Sequence, residues 1–280
     1  MINSPKLRPY WHVDAKWMTG FLLAFSLSAT MLISGLVQIT AEKPAVDLLT
    51  LAMALMYSPN GLDDEADVAI MRRQLQASPD KSIQPIPSLR ITVREQDIAG
   101  LSPREARLFF FRKWGEPIYW KGIQGLADLA DDPEMKTQIV AGGGLFGVLT
   151  LQTHQALQRA LIVAAIVSLV LLVALVFFSF RFGRIGNPGC VFFVAGLPGA
   201  FLFTFIGLAA QPMATPPGEE AGLSGRIGYL LSNTLPPLAQ IFSRNYLTLL
   251  ALGLGLMLLA VLTRVGWGLM HRRRLAQDAD

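Results

Sequence analysis

The chain has 280 residues, 52% of them hydrophobic and only 16% charged, with a mean hydropathy of +0.44. Soluble domains are about 25% charged, so this composition excludes an ordinary water-soluble globule. The formal net charge of +4 is dispersed over short flanking segments, which argues against a nucleic-acid partner, and the single Cys190 excludes an internal disulfide.

Residues 1–16 form a polar tail carrying Lys6, Arg8 and Lys16 against Asp14. Tyr10, Trp11 and Trp17 suit the headgroup level, where an aromatic ring with a polar handle is favoured. Phe21–Ile39 follows as 19 residues without Asp, Glu, Lys, Arg or His. Three more such stretches come later: Leu161–Phe180 (20 residues), Cys190–Ala210 (21) and Leu247–Thr263 (17). Each approaches the ~20 residues that cross about 30 Å of hydrocarbon. The first stretch exceeds a signal-peptide core in length and Ile39-Thr40-Ala41 is a poor cleavage site, so it reads as an uncleaved anchor.

The spans divide the chain into a tail (1–16), helix 1 (17–40), a domain (41–156), helix 2 (157–181), a turn (182–189), helix 3 (190–210), a loop (211–245), helix 4 (246–268) and a second tail (269–280). Arg181 and Arg184 stand in the turn without an acid, and Arg264 and Arg272-Arg273-Arg274 outweigh Asp278 and Asp280. Residues 41–156 hold 15 acids and 12 bases, a net of −3. Cationic loops stay in the cytoplasm, so both termini are expected there, in a multi-pass cell-membrane protein whose 41–156 domain lies outside. The expected fold is a mainly α membrane protein: four transmembrane helices and a small α+β or mostly helical extracytoplasmic domain between helices 1 and 2.

Within that domain Val46–Tyr57 is apolar but too short to span. Asp63-Asp64-Glu65 opens a helix to about Ala77, its acids at the positive end of the dipole. Their spacing lacks the alternating ligands of a calcium loop. Leu89–Arg94 alternates with period two and reads as a strand that must find a partner in this domain or in another subunit. Ser102-Pro103-Arg104-Glu105 is a capping box with proline at the first helical position. The helix it starts concentrates Phe109, Phe110, Phe111, Trp114, Tyr119 and Trp120 beside Arg104, Arg107, Arg112 and Lys113. Two readings stand. Either this is a domain core with a solvated basic face, or Arg104, Arg107, Phe110, Arg112, Trp114, Tyr119 and Trp120 form a surface for lipid headgroups or a partner protein. Gly142-Gly143-Gly144 lacks the Lys-Ser/Thr of a phosphate loop and reads as a hinge or packing site. From Leu149 a helix is expected to run into the second span.

Arg181–Gly189, which contains Asn187-Pro188-Gly189, reads as the very short turn of an antiparallel hairpin between spans two and three, and Cys190 reads as a small packing residue. Gly196 and Gly199 in span three, and Gly253 and Gly255 in span four, are candidate sites of close helix packing. Pro198 is expected to bend its helix. Pro236-Pro237 is expected to interrupt any helix in the loop before span four. Trp267 matches the aromatic belt of the first span.

Chemistry is sparse. His12, His154 and His271 lie in separate regions, so neither a metal site nor a cofactor is expected. Gly222-Leu223-Ser224-Gly225 resembles the nucleophile motif of rhomboid intramembrane proteases, yet no span contains the His that family places on a second helix. An enzyme is therefore not expected. Transport would have to use hydroxyls such as Ser26, Ser28, Thr30, Ser168 and Thr204, or backbone carbonyls. The topology, an external domain between span one and a three-helix set, resembles permease subunits of the MacB and FtsX type, which implies a separate ATPase as partner. Two functions remain: a non-catalytic membrane subunit or scaffold whose domain binds or positions a protein partner or a second copy, or a transporter or channel component.

Overall fold

A computed structural model describes residues 11–58, 62–85, 88–142, 146–210 and 222–277. Ten α-helices appear among them: α1 (Trp11–Ile39), α2 (Glu42–Tyr57), α3 (Glu65–Ala77), α4 (Glu95–Ile98), α5 (Pro103–Lys121), α6 (Ile123–Ala127), α7 (Pro133–Gly142), α8 (Leu151–Phe178), α9 (Gly183–Ala209) and α10 (Gly222–Gln277). Two short strands, β1 (Ser82–Ile83) and β2 (Val93–Arg94), pair antiparallel. Four helical segments are long and apolar enough to cross a membrane: Trp11–Ile39, Leu151–Phe178, Gly183–Ala209 and Ile227–Gly268. They fit a multi-pass, mainly α membrane protein.

The chain forms two compact units. The first comprises Met1–Gly35, Arg159–Ile206 and Ala239–Asp280. Its small core joins Leu23 and Leu27 of α1, Leu175 of α8, Ala195 of α9 and Leu249 of α10. Little else of α8 is enclosed: Ser168 and Leu175 are its buried residues, while Val163, Val170 and Phe177 stand 61%, 62% and 77% exposed. Such a surface suits hydrocarbon, where no water has to be displaced from it.

Hydroxyls join the four helices. Ser168 bonds the hydroxyls of Ser26 at 2.8 Å and Thr30 at 3.1 Å. Ser28 donates to the Ala195 carbonyl at 3.3 Å, and the Tyr246 hydroxyl donates to the Ser28 carbonyl at 2.8 Å. Thr204 and Ser243 bond at 2.8 Å. Ser26, Ser28, Thr30, Ser168 and Thr204 each make a bond between helices.

Glycines set the closest seam, between α9 and α10. A Cβ on Gly253 would lie 2.5 Å from the Phe193 amide nitrogen and 2.8 Å from the Gly189 carbonyl oxygen. One on Gly196 would lie 2.9 Å from the Leu250 nitrogen, and Gly199 faces the Tyr246 ring. Gly255 corrects the expectation, because its Cβ would meet nothing within 4 Å. Two positions along a helix is a rotation of about 200°, so Gly253 and Gly255 cannot both face α9.

Three further expectations are corrected here. The turn expected over Arg181–Gly189 is shorter, since α9 already begins at Gly183 and takes in Asn187-Pro188-Gly189, with Asn187 donating back to the Ser179 hydroxyl at 2.8 Å. Pro236-Pro237 does not end a helix, because α10 runs through it for 56 residues. In the turn before these prolines, Ser232 and Asn233 donate side-chain bonds to the Tyr229 carbonyl and Thr234 to that of Leu230. Cys190 does not pack inside but is exposed on α9.

The second unit comprises Leu36–Gln158 and Gly207–Leu238. Its core is larger, built on Val46, Leu49 and Met53 of α2, Val68 and Leu75 of α3, and the inner face of α5. The Leu89–Arg94 segment finds its partners inside this unit. Leu89 bridges Ala130, and Val93 and Arg94 pair with Ile83 and Ser82. α8 continues without a break from Leu151, as the helical pattern implied. Near its start His154 bonds the Thr40 hydroxyl at 3.1 Å through Nδ1 and the Gln158 amide at 2.9 Å through Nε2. Gly143 and Gly144 of the proposed hinge lie outside the described residues.

Candidate functional site

Helix α5 carries most of the second unit's chemistry, and its start is fixed locally. The Ser102 hydroxyl accepts from the Glu105 amide at 3.3 Å, and the Glu105 carboxylate accepts from the Ser102 amide at 2.9 Å. Pro103 fills the first helical position, where its missing N–H would have had no partner. Those Ser102 bonds hold the Glu105 carboxyl below its ordinary value. At the far end Gly122 takes φ +66°, a left-handed conformation that a side chain disfavours, and the helix stops.

The aromatic cluster resolves by helical face. Arg107, Phe110, Trp114 and Ile118, spaced three or four apart, are buried, as are Phe111 and Tyr119. Phe110 and Phe111 meet Trp114 edge-on, with centroids 5.4 and 5.5 Å apart. This corrects the surface reading for Arg107, Phe110, Trp114 and Tyr119, which belong to the interior because their face packs on α2 and α3. Burial also pushes the Tyr119 phenol above its ordinary value, with the Glu42 carboxylate adding to the effect. Gly115 lets α2 approach closely: a Cβ there would stand 3.1 Å from the Thr50 hydroxyl and 3.4 Å from the Val46 carbonyl. The Thr50 hydroxyl and the Trp114 indole N–H are buried in this region without a hydrogen bond to any described residue.

The buried Arg107 is held by the acid cluster that opens α3. Its guanidinium donates to the Asp64 carbonyl at 2.8 Å and lies 3.6 Å from the Asp64 carboxylate. Asp64 also caps α3, accepting from the Ala66 amide at 3.2 Å. Asp63 pairs with Arg104 at 3.7 Å. Those acids therefore serve α5 and the α3 terminus. Sequence spacing alone could not show that partnership, since it joins residues about 40 apart.

Of the surface candidates, Arg104, Arg112 and Trp120 do face outward. Arg112 bonds Asp47 of α2 at 3.1 Å and lies 3.7 Å from Glu116, and Trp120 is 52% exposed. Arg104 and Arg112 border an open groove of about 500 Å³ between α2 and α5, with Leu51, Leu101, Leu108 and Phe109 as its apolar lining and Asp47 and Glu105 as its acids. On the other side of α5, Lys113 donates to the Thr92 carbonyl at 2.9 Å and pairs with Asp97 at 3.3 Å. Burial works to raise the Asp97 carboxyl, but bonds from the Arg94 amide and Lys113 outweigh it and hold the group below its ordinary value. The groove thus presents paired charges above an apolar floor.

Among the described residues no group of three His, Cys, Asp or Glu could hold a metal ion. Compared with protein-family models, curated proteins and solved structures, the chain matches none.

Proposed function

We propose that the chain is a non-catalytic integral membrane subunit whose domain between the first two spans binds or positions a partner protein. The observation that carries this reading is the commitment of the span hydroxyls: Ser26, Ser28, Thr30, Ser168 and Thr204 each bond a neighbouring helix. Apolar stretches without charged residues, Phe21–Ile39, Leu161–Phe180, Cys190–Ala210 and Leu247–Thr263, and with those hydroxyls paired, serve cohesion and anchoring. Recognition then falls to the outward residues of α5: Arg104 and Arg112, which border the apolar-floored groove, and the exposed Trp120 further along the helix. Loop charge supports a cell-membrane location with both termini in the cytoplasm and the domain outside.

Purification in mild detergent, with identification of co-migrating protein, tests the reading. A partner retained by the native chain and lost from Arg112→Ala and Trp120→Ala is the expected result. A monodisperse lone chain overturns it. The transporter reading has its own signature. With Cys190 replaced by Ala, single cysteines along 196–207 labelled by a water-soluble maleimide would reveal an aqueous path, whereas a packed, lipid-facing helix stays unlabelled.

A further inference from the structure

A cavity of about 260 Å³ lies where the start of α1 meets the end of α8 and the start of α9. His12 and Lys16 of α1, Phe178 and Phe180 at the end of α8, and Asn187 of α9 line it. His12 and Lys16 are four residues apart and share one helix face. Both are half-buried. The Lys16 ammonium stands 5.3 Å from the Trp17 ring centroid and has no carboxylate partner among the described residues. Asp14, two positions from each, lies on the opposite face and is exposed. It is the only acid in residues 1–41, and residues 135–218 contain none. Arg181 and Arg184, both exposed in the adjoining turn, add positive charge.

We propose that this cavity seats the phosphate of an anionic lipid headgroup. A partly desolvated ammonium without a counter-charge is unfavourable, and a phosphate oxygen would relieve it. The donors are side chains: the Lys16 ammonium, an imidazole N–H of His12, and the Asn187 amide, whose other contact is the Ser179 hydroxyl at 2.8 Å. The α9 terminus contributes little, because the amides of Gly183, Arg184, Ile185 and Gly186 already donate to carbonyls of residues 180–182. A lipid is favoured over a free anion by the walls and the setting. Phe178 and Phe180 bring apolar surface to the cavity, and Val173, Phe177 and Phe180 along the end of α8 are 61%, 77% and 56% exposed, where acyl chains would run. The cavity sits at the end of three spans, the depth at which headgroup phosphates lie.

Native mass spectrometry of the full chain in detergent micelles, titrated with dioleoyl phosphatidylglycerol or dioleoyl phosphatidylcholine, tests the site. Phosphatidylglycerol should be retained and phosphatidylcholine, with the same tails, should not. Removing one membrane-surface cation should weaken retention about fivefold in Lys16→Gln, while Lys16→Arg and the distant Lys43→Gln keep native binding. Equal retention of both lipids, or native binding by Lys16→Gln, overturns the proposal. Displacement of phosphatidylglycerol by equimolar inorganic phosphate overturns the lipid assignment in favour of a soluble anion.

Discussion

Gly253 and Gly255 are chemically identical, two residues apart and predicted to respond oppositely to the same change. An added Cβ at 253 would lie 2.5 Å from the Phe193 nitrogen, 2.8 Å from the Gly189 oxygen and 2.9 Å from the Phe193 Cα. All three are backbone atoms, so no side chain can rotate away. Ordinary non-bonded contact begins near 3.5 Å, so α9 and α10 must part locally by about 1 Å. Overpacking of this kind costs about 1–3 kcal/mol. At about 2–4 °C per kcal/mol for a chain of this size, Gly253→Ala should melt roughly 3–10 °C lower in detergent. Gly255→Ala meets no atom within 4 Å. It gains helix propensity of at most about 1 kcal/mol, so its melting point should be unchanged or up to about 3 °C higher. Melting can be followed by loss of the monodisperse peak after heating. Native stability in Gly253→Ala, or equal losses in both variants, would refute the α9–α10 seam.

Four other predictions test the remaining packing. Ser168→Ala removes its bonds to Ser26 and Thr30 and should lower detergent stability by about 1 kcal/mol, with a Ser26/Ser168 double-mutant cycle giving a coupling near 0.6 kcal/mol; zero coupling would contradict the bond. Arg107→Met leaves the Asp64 carboxylate and carbonyl without their cation and should destabilise the second unit by about 2–4 kcal/mol, read as faster hydrogen exchange in α5. Thr50→Val removes a buried hydroxyl that has no described partner, so the same exchange should slow, by a gain of about 1 kcal/mol. Glu105 and Asp97 have depressed carboxyls in the folded chain, so their contribution is present above the unfolded carboxylate range near pH 4 and lost as pH falls through the lower folded values; Glu105→Gln and Asp97→Asn should each flatten that acid loss of α5 protection.

Composition made the spans legible, because twenty uncharged residues in succession leave few alternatives. Local chemistry made the start of α5 legible, since a capping box is closed within four residues. Facing was harder. At 100° per residue Arg107, Phe110, Trp114 and Ile118 fall on one side of the helix, while Arg104, Arg112 and Trp120 are spread around the rest of it. Gly189 contributes to the α9–α10 seam, yet its Asn-Pro-Gly setting looks like a turn when read alone. The helix already starts at Gly183, so the motif falls inside it. Pro236-Pro237 misled for a related reason: proline penalties measured in water are softened where neighbouring side chains satisfy the backbone. The Asp64–Arg107 pair had no local signal at all.

What separates the two units is how their polar groups are used. In the first, the hydroxyls of Ser26, Ser28, Thr30, Ser168, Thr204 and Tyr246 meet another hydroxyl or a carbonyl, with no formal charge in those bonds. Such contacts hold apolar helices together at about 0.6 kcal/mol each and discriminate little between ligands. In the second, arginines reach across elements to acids and carbonyls, and the exposed ones border a groove with an apolar floor. A charge already paired at a surface is worth at most about 1 kcal/mol to its own fold. Exchanging the Arg112–Asp47 pair for an equivalent pair with an incoming carboxylate therefore costs the domain little. The buried Arg107 has no such freedom, since it is held in the core, in part by the Asp64 carbonyl at 2.8 Å. Recognition on this helix is accordingly expected at Arg112 and Arg104, with Arg107 holding the face from behind.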